Sequence, residues 1–286
     1  MHFAKQIFTS VVTLLVMCGH SFPTFAQMED ALLASVRSAR EMKVALGSAP
    51  PWSYVSPSGK AEGYGVEMVN LTLKEMGLPP LIGVLTAWDA MIPALQAHQV
   101  DFVAPGLTIT EARCKVVVYS APLSAQQDAL YVLPGNPKKL AGYSDIARRT
   151  EIKLAVVIGS SQEAYALEQR IKPEQLVRVI DVQAGAATVI GGRASAFAVG
   201  QFTISSPEQK GLEIVLDKQS PVNGYGVAFR KENARFRDAF DKQLRLLIRD
   251  GTVQKLYEKY GIPNGDTAAQ LLATVSKAHE VVPSCE

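Results

Sequence analysis

One short segment combines the side chains that bind a carboxylate. Gly106 and Thr108 precede a predicted helix start, and Arg113 stands in the first turn of that helix. A hydroxyl and a guanidinium at this spacing can hold one carboxylate through charge-assisted hydrogen bonds, which are stronger than neutral ones. The motif T-x-T-x-x-R is short, so its specificity on its own is low.

The two tryptophans of the chain each follow a predicted strand. Trp52 comes after a pair of prolines that follows strand 43–46, and Trp88 comes shortly after strand 81–85. α/β proteins bind ligands at strand ends, and an indole face attracts a cation by about 0.5–2 kcal/mol. We therefore expect Trp52 and Trp88 to cover the cationic part of a ligand. The alternative is that each ring packs beneath a loop as part of the core.

Composition and charge exclude several classes of protein. The chain has 286 residues, 48% of them hydrophobic, and 29 lysines and arginines against 27 acidic residues. This apolar content excludes a disordered chain, and the near-neutral charge without a basic cluster argues against nucleic acid as a partner. The length predicts one large domain or two of moderate size.

The first 26 residues have the pattern of a cleaved signal peptide. Lys5 precedes the apolar run 7–17, which is too short to cross a bilayer, and small residues at 24 and 26 predict cleavage after Ala26. The competing interpretation makes Cys18 a lipid-modified first residue, but Met17 is large for the position before it. We expect an exported, periplasmic protein.

Cysteine and histidine counts constrain the chemistry further. Cys114 and Cys285 remain after the signal peptide, and an oxidising compartment favours a disulfide between them, with two free thiols as the alternative. Two distant cysteines and the separate residues His98 and His279 do not form a metal site. We predict neither a metal nor a cofactor.

Short apolar runs, typical of strands, alternate with segments whose apolar residues recur every three or four positions, as on one face of a helix. This alternation predicts an α/β protein with mostly parallel sheets. One helical stripe covers 66–76 and ends at Gly77, and another covers 236–247 and ends at Gly251. Strands are predicted at 43–46, 81–85, 101–103, 116–119, 129–133, 153–157, 177–180, 194–199, 213–216 and 224–229.

Two breaks divide this pattern into lobes. Turn residues occupy 134–137 and again 220–224, with a compact β/α block between them. We predict a discontinuous first lobe at 27–133 and 225–286 and a second lobe at 134–224. Two strands, near 129–134 and 223–228, would join the lobes and act as hinges.

Several runs, in this order, resemble a known family. GYGVEMVNLTLKEMG, TAWDAMIPALQAHQVDFVAPGLTITEARCKVVVYSAPLS, KLAVVIGSSQEAYA, GRASAFAVG and YGVAFRKENARFRDAFDKQ are similar to the family 3 extracytoplasmic solute-binding proteins of polar amino-acid ABC transporters. The resemblance covers nearly the whole mature chain. It implies the type II periplasmic-binding-protein fold: two α/β lobes that close over a small ligand and deliver it to a membrane permease. It also implies a monomer.

Within that family, GVLTAWDAMIPALQA, EARCK and the terminal PSCE are most similar to the ectoine- and hydroxyectoine-binding subgroup. In that subgroup the two matching cysteines form a bridge, so the resemblance implies a Cys114–Cys285 disulfide. The wider family holds the ligand carboxylate with residues that match Thr108 and Arg113, a carbonyl that matches Gly106, and a helix start that matches Gly159, Ser160 and Ser161.

The departures from the family pattern bear on the ligand. Amino-acid binders hold the α-ammonium with an aspartate, and Gly200 stands at the matching position, with Ser195 at an earlier acidic one. The missing acid favours a small zwitterion with a delocalised or quaternary cation, such as ectoine. Two features of the subgroup are also altered. Ala49 stands where the subgroup has an acid before the proline pair, and Thr108 stands where it has an aromatic residue after Gly-Leu. Thr108 matches the pattern of the amino-acid binders instead.

Three classes of function follow. A transporter binding protein is the leading hypothesis, with either ectoine-like solutes or polar amino acids as ligand. Periplasmic cyclohexadienyl dehydratases resemble the same family, but their chemistry needs an acid in the cleft, and Asp89 and Glu163 are better explained as helix-start residues. A receptor sensor lobe would require a transmembrane helix, and no apolar run of that length follows Tyr260.

Overall fold

The protein is described from a computed structural model that covers residues 31–262 and 264–285. The predicted signal peptide and Cys18 lie outside these residues. Within them, no helix combines the length and the apolar character needed to cross a membrane.

A first mixed sheet contains six strands. β1 is parallel to β4 and β5, and β13 runs antiparallel to β5, β6 and β7. The order is β4 (Ile82–Leu85), β1 (Lys43–Leu46), β5 (Phe102–Thr108), β13 (Asn223–Arg230) and β6 (Val117–Tyr119), with β7 (Ser124–Gln126) also paired to β13. A small hairpin joins β2 (Tyr54–Val55) to β3 (Ala61–Glu62).

A second sheet has five strands in the order β10 (Leu176–Val179), β9 (Leu154–Val157), β11 (Ala196–Gly200), β8 (Asp128–Val132) and β12 (Glu213–Leu216). β9, β10 and β11 are parallel, and β8 is antiparallel to β11 and β12. All ten predicted strands are therefore present. The mixed α/β architecture with two sheets confirms the predicted fold class.

The apolar residues from which two of the helices were predicted are buried. Val69 and Leu73 of α2 and Phe236 and Phe240 of α8 lie in the core of the first lobe. α2 is followed by Gly77, at φ +68°, a left-handed conformation that glycine adopts at little cost. The helices are α1 (Ala31–Ala39), α2 (Tyr64–Glu75), α3 (Met91–Gln96), α4 (Glu111–Cys114), α5 (Tyr143–Arg148), α6 (Ser161–Glu168), α7 (Val182–Ile190), α8 (Ala234–Arg249), α9 (Thr252–Lys259), α10 (Gly265–Ala273) and α11 (Ala278–Val281).

The chain crosses between the sheets at a different place from the one predicted. β7 pairs in the first sheet and β8 in the second, so the first crossing lies at Gln127 and not at Pro134. The return crossing lies between β12 and β13, before Asn223. The turn residues at 134–137 mark the end of β8, whereas the crossing itself is extended and carries no turn signal.

A disulfide ties the C-terminal tail to the first lobe. Cys114 at the end of α4 is bonded to Cys285, and their Cα atoms are 5.3 Å apart. Both sulfur-bearing residues pack in one apolar cluster with Ile109 and Ala278. The bridge therefore anchors the short helix that carries Arg113.

Breaking this bridge should destabilise the protein. A disulfide contributes about 2–4 kcal/mol by restricting the unfolded chain, so we expect C114S/C285S to melt about 5–15 °C below the wild type. Differential scanning calorimetry with and without a reductant measures this. A wild-type protein whose melting temperature is insensitive to reductant would contradict the pairing.

Candidate ligand-binding site

A cavity lies between the two sheets, at the carboxyl ends of β1, β5 and β9. The space open to the centre of a water molecule amounts to about 80 Å³. Because one water needs only about 10–15 Å³ on this measure, the cavity has room for a small organic molecule. All seven predicted ligand contacts line it: Trp52, Trp88, Gly106, Thr108, Arg113, Ser160 and Ser161.

Arg113 bridges the two lobes. Its Nη1 donates to the Thr108 carbonyl oxygen at 2.9 Å in its own lobe, and its Nη2 donates to the Gly159 carbonyl oxygen at 2.9 Å in the other. The Thr110 side chain caps α4 by accepting from the Arg113 backbone N–H at 3.4 Å. A guanidinium has five N–H donors, so these two bonds leave donors for an anion in the cavity.

The second lobe contributes a helix start. Ser160 caps α6 by accepting from the Glu163 backbone N–H at 3.1 Å, and Glu163 returns to accept from the Gly159 N–H at 2.9 Å. The Ser161 hydroxyl donates to the Thr108 hydroxyl across the cleft at 2.9 Å. The start of α6 and Arg113 therefore create a positive potential at one end of the cavity.

The two tryptophans line the cavity and are also packed. Trp52 donates from its indole nitrogen to the Phe202 carbonyl oxygen of the second lobe at 3.0 Å, and its ring meets the edges of Tyr64 and Tyr257 at centroid distances of 5.3 and 6.2 Å. Trp88 packs against apolar clusters of both lobes. Both rings are thus fixed in place, which is what a preformed aromatic wall requires.

Several lining residues escaped the sequence analysis. Gln162 follows the serine pair directly, and Ser53 and Thr203 lie in loops. The others lie on β7 and β13 next to the crossings, where the sequence shows only extended runs. Burial strongly raises the pKa of the Tyr225 hydroxyl, with Asp128 adding to the effect, whereas hydrogen bonds with Gln162, Thr108 and Gln126 oppose it. The missed polar residues are Ser53, Ser124, Gln126, Gln162, Thr203 and Tyr225.

The buried carboxyl group of Asp128 lies next to the cavity and is hydrogen-bonded to one of its lining residues, Gln162. Asp128 accepts hydrogen bonds from Gln162 at 2.7 Å, Asn223 at 3.1 Å and Tyr143 at 3.2 Å. Burial raises the pKa of the Asp128 carboxyl above its usual value, although these three bonds act in the opposite direction. Asp128 joins the starts of β8 and β13, the two strands that follow the crossings, to the first turn of α6.

The charge balance of the cavity is one-sided. Across the described residues its walls hold one cationic side chain, Arg113, and no aspartate or glutamate. Gly200 lies beneath the Gln126 side chain, because a Cβ at 200 would fall 2.2 Å from Gln126 Cδ. In the part of the chain described here, no group of three or more His, Cys, Asp or Glu residues could hold a metal ion.

Comparison with known proteins gives the family. Residues 42–263 match the model of the bacterial extracellular solute-binding proteins, family 3. The chain belongs to this family. Like its relatives, this family 3 binding protein has the type II periplasmic-binding-protein fold.

Two relatives by sequence are named for amino acids. This binding protein is 28% identical to a probable amino-acid ABC transporter periplasmic-binding protein, y4tE, of Sinorhizobium fredii, over 82% of each chain. It is 29% identical to the lysine/arginine/ornithine-binding periplasmic protein of Escherichia coli, over 88% of this chain and 96% of that protein.

Two solved structures are similar to this binding protein along most of its length. EhuB in complex with hydroxyectoine matches with a TM-score of 0.79 and 28% identity, covering 87% of this chain and 96% of that one. The ancestral amino acid-binding protein AncCDT-1, a precursor of cyclohexadienyl dehydratase, matches with a TM-score of 0.71 and 26% identity, covering 80% and 98%.

Removing the Arg113 side chain should nearly abolish ligand binding. Arg113→Ala deletes the cationic side chain of the described cavity wall and would leave the carboxylate of an anionic ligand without a charged partner. At about 1.5–3 kcal/mol for each charge-assisted bond, two such bonds correspond to a loss of about 100-fold or more in affinity. Isothermal titration calorimetry measures it.

Lys115→Ala is the matched control, because Lys115 is two residues away, 71% exposed and paired with Glu111 on the surface. It should leave the affinity unchanged. An Arg113→Ala variant that keeps its fold and binds within threefold of the wild type would show that the carboxylate is held elsewhere.

Proposed function

We propose that this protein is the periplasmic substrate-binding protein of an ABC importer and captures ectoine, hydroxyectoine or a similar small zwitterionic solute by lobe closure. The observation that carries the proposal is the cavity wall: one arginine shared between the lobes, two fixed tryptophans, and no acid among the described lining residues. A small carboxylate with a delocalised cation matches this wall.

In this mechanism the anionic end of the ligand binds first. Thr108 and Arg113 belong to the first lobe and meet the carboxylate in the open cleft, with the Gly106 carbonyl oxygen nearby as an acceptor. Closure then brings the start of α6, with Ser160 and Ser161, onto the same anion. The contacts that Gly159 and Ser161 make with Arg113 and Thr108 hold the lobes together.

The cationic end would lie against the tryptophans. An amidinium ring or a quaternary group spreads its charge and pairs with an aromatic face, whereas a primary ammonium needs several acceptors. The similarity to EhuB with hydroxyectoine bound supports this choice of ligand.

Binding of polar amino acids is the second candidate. It is favoured by the relatives named for amino acids and by Thr108, which matches their pattern. We propose no catalytic function, since the described cavity wall offers no carboxylic acid for proton transfer. The partner we propose is the membrane permease of the importer, and the binding protein itself is proposed to be a monomer without cofactor or metal.

Titration calorimetry of refolded, ligand-free protein separates the two candidates. The panel contains ectoine, hydroxyectoine, glycine betaine, L-glutamine, L-histidine and L-arginine. We expect ectoine or hydroxyectoine to bind with micromolar or tighter affinity and the amino acids to give no heat. Binding of amino acids alone would contradict the choice of ligand and support the second candidate.

A further inference from the structure

One polar side chain of the cavity wall has a fixed orientation that the proposed function does not explain. Gln126 ends β7, beside the first crossing, and is 95% buried according to its 5% exposed fraction. It lines the cavity together with Ser124 and Tyr225. A glutamine so deeply buried must have its amide satisfied or facing a ligand.

The orientation of the Gln126 amide follows from its partners. The Phe202 backbone N–H donates to Gln126 Oε1 at 3.0 Å, and only the oxygen can accept that bond. The amide nitrogen therefore carries two N–H donors on the other side. Gln126 and Tyr225 both line the cavity, so these N–H groups are the donors that the Gln126 amide offers on this wall.

The end of β11 packs against this amide. Gly200 lies directly against it: a Cβ at 200 would stand 2.2 Å from Gln126 Cδ and 2.4 Å from Nε2. No side chain larger than hydrogen therefore fits at 200 while Gln126 keeps its position. The Gln126 amide and any side chain at position 200 are alternatives that occupy the same space.

We propose that Gln126 determines the ligand class of the cavity by presenting an N–H donor where an ammonium would need an acceptor. The ligands accepted are small carboxylates without a primary α-ammonium, and α-amino acids are rejected. The cation at Arg113 and the absence of an acid from the described cavity wall agree with this selection. This inference deepens the proposed function and rests on it for the site, although not for ectoine itself.

Replacing the amide by a carboxylate tests the inference. Gln126→Glu is nearly isosteric, still accepts from the Phe202 N–H, and offers a charged acceptor to an ammonium. We expect it to bind L-glutamine or L-arginine at least about tenfold more tightly than the detection limit of titration calorimetry, below which the wild type stays. The deaminated acid glutaramate, which lacks the ammonium, should show no gain.

Gln127→Glu is the matched control. It introduces the same charge at the next residue. Gln127 lies outside the cavity and donates to the Ser220 carbonyl oxygen at 2.9 Å. It should not gain amino-acid binding. An equal gain in Gln127→Glu and Gln126→Glu would overturn the inference, because added charge alone would then explain it.

A second set of variants places the carboxylate on β11 instead of β7. Gln126→Ala empties the space and Gly200→Asp fills it, so the double variant should also gain amino-acid binding. Gly200→Asp alone should not, because Gln126 occupies the space. If neither Gln126→Glu nor the double variant gains amino-acid binding while its melting temperature shows a folded protein, the inference is wrong.

Binding of amino acids and of ectoine by the wild-type protein also tests the inference. Wild-type protein that binds L-glutamine or L-arginine with micromolar affinity would overturn the inference, since Gln126 would then not exclude an ammonium. Wild-type protein that ignores ectoine, together with variants that gain amino acids, would overturn the choice of ectoine and support the role of Gln126.

Discussion

The position of the Arg113 guanidinium is the constraint on which the site depends. Its two bonds, to the carbonyl oxygens of Thr108 and Gly159, join one lobe to the other, and the side chain that makes them lines the cavity. Helix α4, which carries Arg113, has only four residues, too few to be stable alone. The Thr110 cap and the bridge from Cys114 to the C-terminal tail hold it in place.

In the proposed mechanism, the elements around Arg113 would couple anion binding to closure. The start of α6 meets Thr108 through Ser161, and Asp128 ties the same helix to both crossings through Gln162 and Asn223. A ligand carboxylate that binds both lobes favours the closed arrangement by its differential affinity for the two states.

Much of this arrangement can be predicted from the sequence. The apolar runs identify all ten predicted strands, and the residue types together with the family resemblance lead to seven residues that the fold brings into one cavity. The crossing at Gln127 and the short strand β7 could not be predicted, because an extended polar run carries no local signal. The match between Gln126 and Gly200 arises from tertiary packing between strands of different sheets, which no local pattern reports.

A crystal structure of the protein with its tightest-binding ligand tests the central claim most directly. We predict a ligand carboxylate oxygen within about 2.7–2.9 Å of an Arg113 guanidinium nitrogen, with the second oxygen at the start of α6. The non-anionic part of the ligand would face Trp52, Trp88 and Gln126. A ligand whose carboxylate contacts neither Arg113 nor α6 would contradict the account.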